Sequence, residues 1–461
     1  MSDRAIRSVA ILGGGIVGLS AAIAFARSLP QLVVTVVETP PDPAALADRL
    51  PGTTTSIHRF HAAIGLDEAA LLRTGAAVPR LGLRFETWPD ARWYHVHGEH
   101  GEPAGAIAFH QLWARARRAG HAEAWHLYAV AGALAEAGRF VHPQPGTPLA
   151  AFDYALRLHP ERYRELLAAL ADQHRVTRTS GSFGGVERRE DGSIAALLLA
   201  DGRRVEADLY IDSSGPAAPL ALDAGFDDWR ATLPFDRVTL GTAPASAADP
   251  SDTIVGGAQG WQFVAPLPGQ TILGRIHADA WEESVAIRPG RRRTLWVRNV
   301  LAIGDAAVGL DPLHWPNLHL AHSAIARAIE LLPGRDCHPV ETGEYNRRSA
   351  AEADRMRDFQ ALHYLRLGLP IEVPESLARI LRQFERRGRF AYEDEDSLLE
   401  EIWLSALLGL GVLPKAIDPR AEAVPAGAAA AGMVAMRAAL AQLPPRLPDY
   451  ATYLKRSGVP T

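Results

Sequence analysis

Val9-Ala10-Ile11-Leu12-Gly13-Gly14-Gly15-Ile16-Val17-Gly18 decides how the rest of this 461-residue chain reads. Four consecutive apolar residues suit a strand covered on both faces. The glycines then form a turn, and Leu19 to Arg27 carries alanine-rich helical periodicity. Val33 to Val37 is a second strand, ending at Glu38. Gly13-x-Gly15-x-x-Gly18 therefore opens a helix inside a βαβ unit, with an acid about 20 residues beyond the last glycine. Such glycines let the backbone approach a pyrophosphate at the helix N-terminus, and Glu38 suits a pair of ribose hydroxyls. Gly13, Gly15, Ile16, Gly18 and Glu38 are the candidate dinucleotide-binding residues.

Two further strands end in turns that can reach the same ligand. Ala207-Asp208-Leu209-Tyr210-Ile211-Asp212 runs into the small residues Ser213-Ser214-Gly215. Val300-Leu301-Ala302-Ile303 runs into Gly304-Asp305, and then comes Asp311-Pro312-Leu313-His314-Trp315-Pro316-Asn317-Leu318-His319. The Gly-Asp turn reads as delivered to the same dinucleotide, and the segment after it as a loop facing that ligand's reactive end. Gly304, Asp305, Pro312 and Leu318 join the cofactor candidates. Only one full phosphate-binding fingerprint is present, which argues against a separate NAD(P)H domain.

Elsewhere the pattern is mixed. Pro160 to His174 is a helix with proline in its first turn. Ser182 to Asp212 alternates as strands around turns at 190–192 and 201–202, and Arg230 to Arg275 reads as strands. Ser323 to Leu332 and the chain from Ala350 onward read as helical, with an alanine-rich helix at Ala426 to Ala441 between Pro425 and Pro444. Trp113, Trp125 and Tyr128 fall at irregular helical spacing and read mainly as core.

A 48% hydrophobic and 22% charged composition is that of a globular protein with two or three packed units. A net charge of −5 gives no basic footprint for nucleic acid. The polar start and the lack of a long uninterrupted apolar run predict neither signal peptide nor membrane span, and the cytoplasm is the expected compartment. The lone Cys337 reads as a reduced thiol without a role, and no metal site is expected. The only lysines are Lys415 and Lys455, and arginine cannot replace a lysine that must give up a proton.

These segments together resemble the flavin-dependent tryptophan halogenases, within the FAD-dependent aromatic monooxygenases, along nearly the whole chain. Besides the three strand ends, Arg357-Asp358-Phe359-Gln360-Ala361-Leu362-His363-Tyr364 and the stretch from Trp403 to Pro414 are similar to that family's C-terminal helical segment. The resemblance implies FAD as cofactor, a separate flavin reductase supplying it in reduced form, an aromatic or indole-containing substrate, and a homodimer. Residues the family uses to halogenate are altered. Its lysine, in a Phe-Lys-x-Gly-Ile-like strand, corresponds to Arg80 in Pro79-Arg80-Leu81-Gly82-Leu83-Arg84-Phe85. Its Pro-Leu-Glu-Ser-Thr-Gly-Ile loop, which seats halide, becomes Pro312 to Leu318, with His314 at the glutamate and Pro316 offering no N–H. Its Trp-x-Trp-x-Ile-Pro becomes Trp261-Gln262-Phe263-Val264-Ala265-Pro266, and a Gly-Glu-Ala-Thr-like stretch becomes Gly52-Thr53-Thr54-Thr55.

The expected fold is α/β. A discontinuous Rossmann-type FAD-binding domain (1–75, 151–215, 296–350) carries an inserted β-rich substrate domain (76–150, 216–295) and a C-terminal helical region (351–461). The expected activity is oxygenation of an aromatic ring through a flavin C4a-hydroperoxide, with His314 and Arg80 as candidate catalytic groups and Trp261, Phe263 and Trp315 as candidate substrate contacts. His319 reads as structural and Trp315 as a plug for the altered halide seat. Two alternatives remain open: a halogenase in which another group replaces lysine, and a flavin-binding protein without catalysis.

Overall fold

The computed structural model describes residues 5–88, 92–150, 152–221, 224–279, 283–390 and 397–460. It divides into two compact units. One comprises 1–77, 158–239 and 278–355; the other comprises 78–157, 240–277 and 356–461.

The first unit is built on a six-stranded sheet. Its order is Trp296–Val297, Val300–Ala302, Leu209–Asp212, Ser8–Leu12, Val33–Glu38, Thr177–Ser180. All neighbours are parallel except the first pair. The registers place Leu12 beside both Val37 and Asp212, and Asp212 beside Ala302. The glycine turn, Ser213 and the Gly-Asp turn therefore leave the sheet at one edge, where open α/β sheets bind ligands. The strands read as continuous apolar runs because helices cover them: Ala10, Ile11, Leu12, Val36 and Ile211 are fully buried. An antiparallel meander of Phe183–Arg188, Ile194–Leu199 and Arg204–Glu206 follows the expected hairpins.

Two helices begin earlier than their periodicity suggests. One runs Pro316–Glu330 and the other Pro339–Arg366, each with proline in its first turn, where the missing N–H costs nothing. Polar and aromatic residues in those opening turns hid the helical pattern.

In the second unit, Gln270–His277, Gly260–Leu267, Ser251–Gly257, Gly82–Glu86 and Trp93–Val96 lie side by side in one sheet. The pairing of Ser251–Gly257 with Gly82–Glu86 is parallel and the others are antiparallel. Trp113, Trp125 and Tyr128 are core residues. The alanine-rich helix Ala426–Ala441 has the expected bounds. With the turn after it, Ala426–Arg446 is long and apolar enough to cross a membrane by length and composition alone, although Arg437 and Gln442 interrupt its apolar run. Cys337 is a free, buried thiol, and burial raises it to about 12.

Candidate active site

The cradle is made by local geometry. Gly13 sits at φ +124°, and its N–H donates to Val37 O at 3.0 Å. A β-carbon on Gly18 would fall 1.9 Å from Gly13 O, so the helix Ile16–Ser28 approaches the strand only because glycine stands there. Gly304 is left-handed (φ +60°) and carries Asp305 into the same region.

An anion already tests the fit of this cradle. The Asp48 carboxylate accepts from the N–H of Val17 at 2.9 Å, with a second bond from Ile16, at the N-terminus of the helix. These are the donors that a diphosphate requires, and the helix dipole adds to them. The donor set therefore fits the diphosphate of a dinucleotide such as FAD. The acidic side chain has a cost: desolvation raises Asp48 from 3.8 to about 6, against the lowering effect of its backbone bonds. Asp305 accepts from Ala47 N at 2.8 Å, and desolvation, aided by the nearby Asp48 charge, raises it to about 7. Glu38, the expected ribose ligand, is held by Arg178 Nε at 2.7 Å and Ser180 Oγ at 3.3 Å.

The loop after Asp305 is strained. Asp311 Oδ1 accepts from Leu313 N (2.9 Å) and Pro312 O from Trp315 N (2.8 Å), closing a tight turn. Within it His314 (φ 67°) and Trp315 (φ 60°) are consecutive left-handed residues with side chains, each costing about 1–3 kcal/mol. Pro316 opens the next helix, so the position offers no amide hydrogen. Trp315 is 1% exposed and lies flat on Gly52, where a β-carbon would meet the indole at 2.0 Å. His314 is half-buried; Pro312 and Leu318 are buried beside it. His319 bonds Ser56 Oγ through Nδ1 at 2.8 Å, and its Nε2 lies 3.7 Å from Glu352, which is held in turn by Arg327 at 2.8 Å. That network ties the Thr53–Ser56 stretch to the helix after the loop.

In the second unit Arg80 is 1% exposed, with Nε 3.4 Å from the fully buried Asp252. Arg157 Nε reaches the other oxygen of Asp252 at 2.6 Å. Burial lowers Arg80 to about 10, so it stays charged at neutral pH, opposite a fixed carboxylate. Trp261 and Phe263 are each 1% exposed. Trp261 Nε1 donates to Tyr364 Oη at 3.0 Å, and its ring lies edge-on to Trp88. Sequence reasoning missed Asp48, Asp252 and Arg157. The first stands in a short run, Ala44 to Leu50, whose apolar residues flank a single acid.

Three comparisons bear on this arrangement. The family model for tryptophan halogenases matches residues 8–281 and 272–426. Tryptophan 7-halogenase KtzQ of Kutzneria sp. (strain 744) is 25% identical, over 99% of each chain. Among solved structures, BrvH, a flavin-dependent halogenase from Brevundimonas sp. BAL3, is 30% identical with a TM-score of 0.91, covering 98% of this chain and 99% of its own. Xcc4156, a flavin-dependent halogenase from Xanthomonas campestris, is 27% identical with a TM-score of 0.92, covering 99% of each chain.

Proposed function

We propose that this chain, which belongs to the tryptophan halogenase family, is an FAD-dependent oxidoreductase that oxygenates an electron-rich, indole-like ring instead of halogenating it. Flavin-dependent halogenases bind FAD, and the general mechanism of the family takes it in reduced form from a separate reductase. The carrying observation is the loop at His314–Pro316. Proline removes an amide hydrogen, two left-handed side chains crowd the turn, and Trp315 fills the space over Gly52. No lysine precedes Lys415 to complement it.

Reduced FAD, when bound, supplies two electrons to dioxygen, so that one oxygen atom reaches the ring and the other leaves as water. The chain's own part is to hold, exclude water and move a proton. Gly13, Gly15, Ile16 and Gly18 present backbone donors to the phosphates, and Glu38 and Asp305 accept from hydroxyls. Trp315 keeps water from the loop, and the half-buried imidazole of His314 exchanges the proton. Arg80 acts through Asp252 by holding the sheet that carries it, while Trp261 and Phe263 shape the aromatic interior. The glycine-turn segments 1–75, 151–215 and 296–350 form the cofactor domain, and 76–150 with 216–295 the substrate domain. We place the protein in the cytoplasm as a homodimer.

Turnover with NADH, a flavin reductase and FAD over an indole and phenol panel, under isotopically labelled dioxygen, tests this reading. Label in the product supports it; turnover to unlabelled products only, or to none, contradicts it. A second reading, halogenation through a group other than lysine, is favoured by the 30% identity to a halogenase over nearly the whole chain. Brominated product from the wild-type protein, with bromide added to the same panel, would establish it.

A further inference from the structure

The segment from Asp42 to Gly52 runs along the dinucleotide cradle. Asp42 and Ala45 pack on Gly215, where an added β-carbon would meet theirs at 2.8 and 3.3 Å. Ala47 donates its N–H to Asp305, the residue of the Gly-Asp turn. Asp48 caps the donors of Ile16 and Val17, and a β-carbon on Gly15 would fall 2.1 Å from its Oδ2. Gly52 lies under Trp315. Gly215, Asp305, the Ile16 and Val17 donors and Trp315 are thus met in turn by successive residues of this segment.

The segment is also inserted. Ala45, Leu46, Ala47 and Leu50 are buried, and so are Gly13, Gly14, Gly15, Ile16 and Val17 beneath it. A cradle open to a ligand would leave those glycines accessible. A carboxylate is the one side-chain group that can satisfy two helix N-terminal N–H donors as a phosphate does.

We propose that residues 42–52 are a built-in occupant of the FAD cradle, with the Asp48 carboxylate in the place of the diphosphate, and that FAD binds by displacing them. This rests on the flavin reading above. The occupant lowers the apparent affinity by the fraction of molecules in which the cradle is closed, and lets the protein persist without cofactor in a packed form.

FAD titration by flavin fluorescence, run on the wild type and on Asp48→Ala, together with hydrogen exchange of the wild type with and without FAD, tests the proposal. Loss of the two charge-assisted bonds in Asp48→Ala should tighten FAD binding by about tenfold or more. In the wild type, FAD should slow exchange at 16–18 and speed it at 44–50, where the Ala47 amide loses Asp305. Equal FAD affinity in the two proteins, with exchange at 44–50 unchanged or slowed by FAD, overturns the occupant and leaves the flavin reading intact. Absence of FAD binding by both proteins overturns the flavin reading, and this proposal with it. The exchange measurement needs no variant, so it decides even if Asp48→Ala fails to fold.

Discussion

Raising the pH should tighten FAD binding, by an amount set by Asp48. In the closed cradle this carboxyl is raised from 3.8 to about 6, with desolvation as the main cause. Facing it are Asp305, which is itself raised, and Arg164, which lowers it. Once the segment is displaced into water, Asp48 returns to its ordinary value. A raised carboxyl pKa means that the closed form holds its proton more tightly than the open form. Closure is therefore fully favoured below pH 3.8 and loses that advantage as pH rises through about 6. The full shift corresponds to about 3 kcal/mol, and most of the experimentally convenient part lies between pH 5 and 8. There the linkage amounts to about tenfold in apparent Kd, because only the stretch from pH 5 to about 6 lies below the closed-form value. Asp305, at about 7, extends the same trend upward. Fluorescence titration of FAD at fixed ionic strength reads it directly, and Asp48→Asn should flatten the part between pH 5 and 6. A wild-type affinity that is flat or falls from pH 5 to 8 would refute the reasoning.

Three other outcomes follow from the same structure. Asp252→Asn leaves Arg80 and Arg157 buried around a neutral amide and should cost about 3–5 kcal/mol in urea unfolding, whereas a loss below about 1 kcal/mol would mean that the charges are solvated. Gly18→Ala drives a methyl into Gly13 O and should lower stability by about 1–3 kcal/mol, with loss of FAD binding; unchanged melting would contradict the close helix–strand approach. Burial depresses His61, His100 and His363 to about 3 and His95 to about 4, so their contribution is present above pH 6.5 and lost as pH falls toward those values. Each costs up to about 1.4 kcal/mol per pH unit in that window. Urea midpoints should therefore fall steadily from pH 7 to 5, and a flat profile would show these imidazoles to be hydrated.

Local signals made the architecture readable. The run Val9–Leu12, the three glycines and the terminal Glu38 lie within one βαβ unit, so period and turn chemistry suffice to place them. The α/β class and the helical C-terminal portion follow from such signals. What stayed hidden depends on partners far apart in sequence. Asp48 meets Val17 across 31 residues, and Asp252 meets Arg157 across 95. No spacing rule announces either bond. Pro40-Pro41-Asp42-Pro43 carries neither strand nor helix period, yet it introduces a segment that turns back into the cradle. Trp315 was open to two roles by sequence. The missing side chain at Gly52, which admits the indole face, shows that in this form it packs against the chain itself.

The central claim, a halogenase-family frame that oxygenates, is tested most directly by competition. The protein, a flavin reductase, NADH and FAD are incubated with an indole panel across a bromide series, and products are counted by mass spectrometry. Oxygenated indole is expected, in a yield that does not change with bromide. Brominated product that rises with bromide at the expense of the oxygenated one would contradict it.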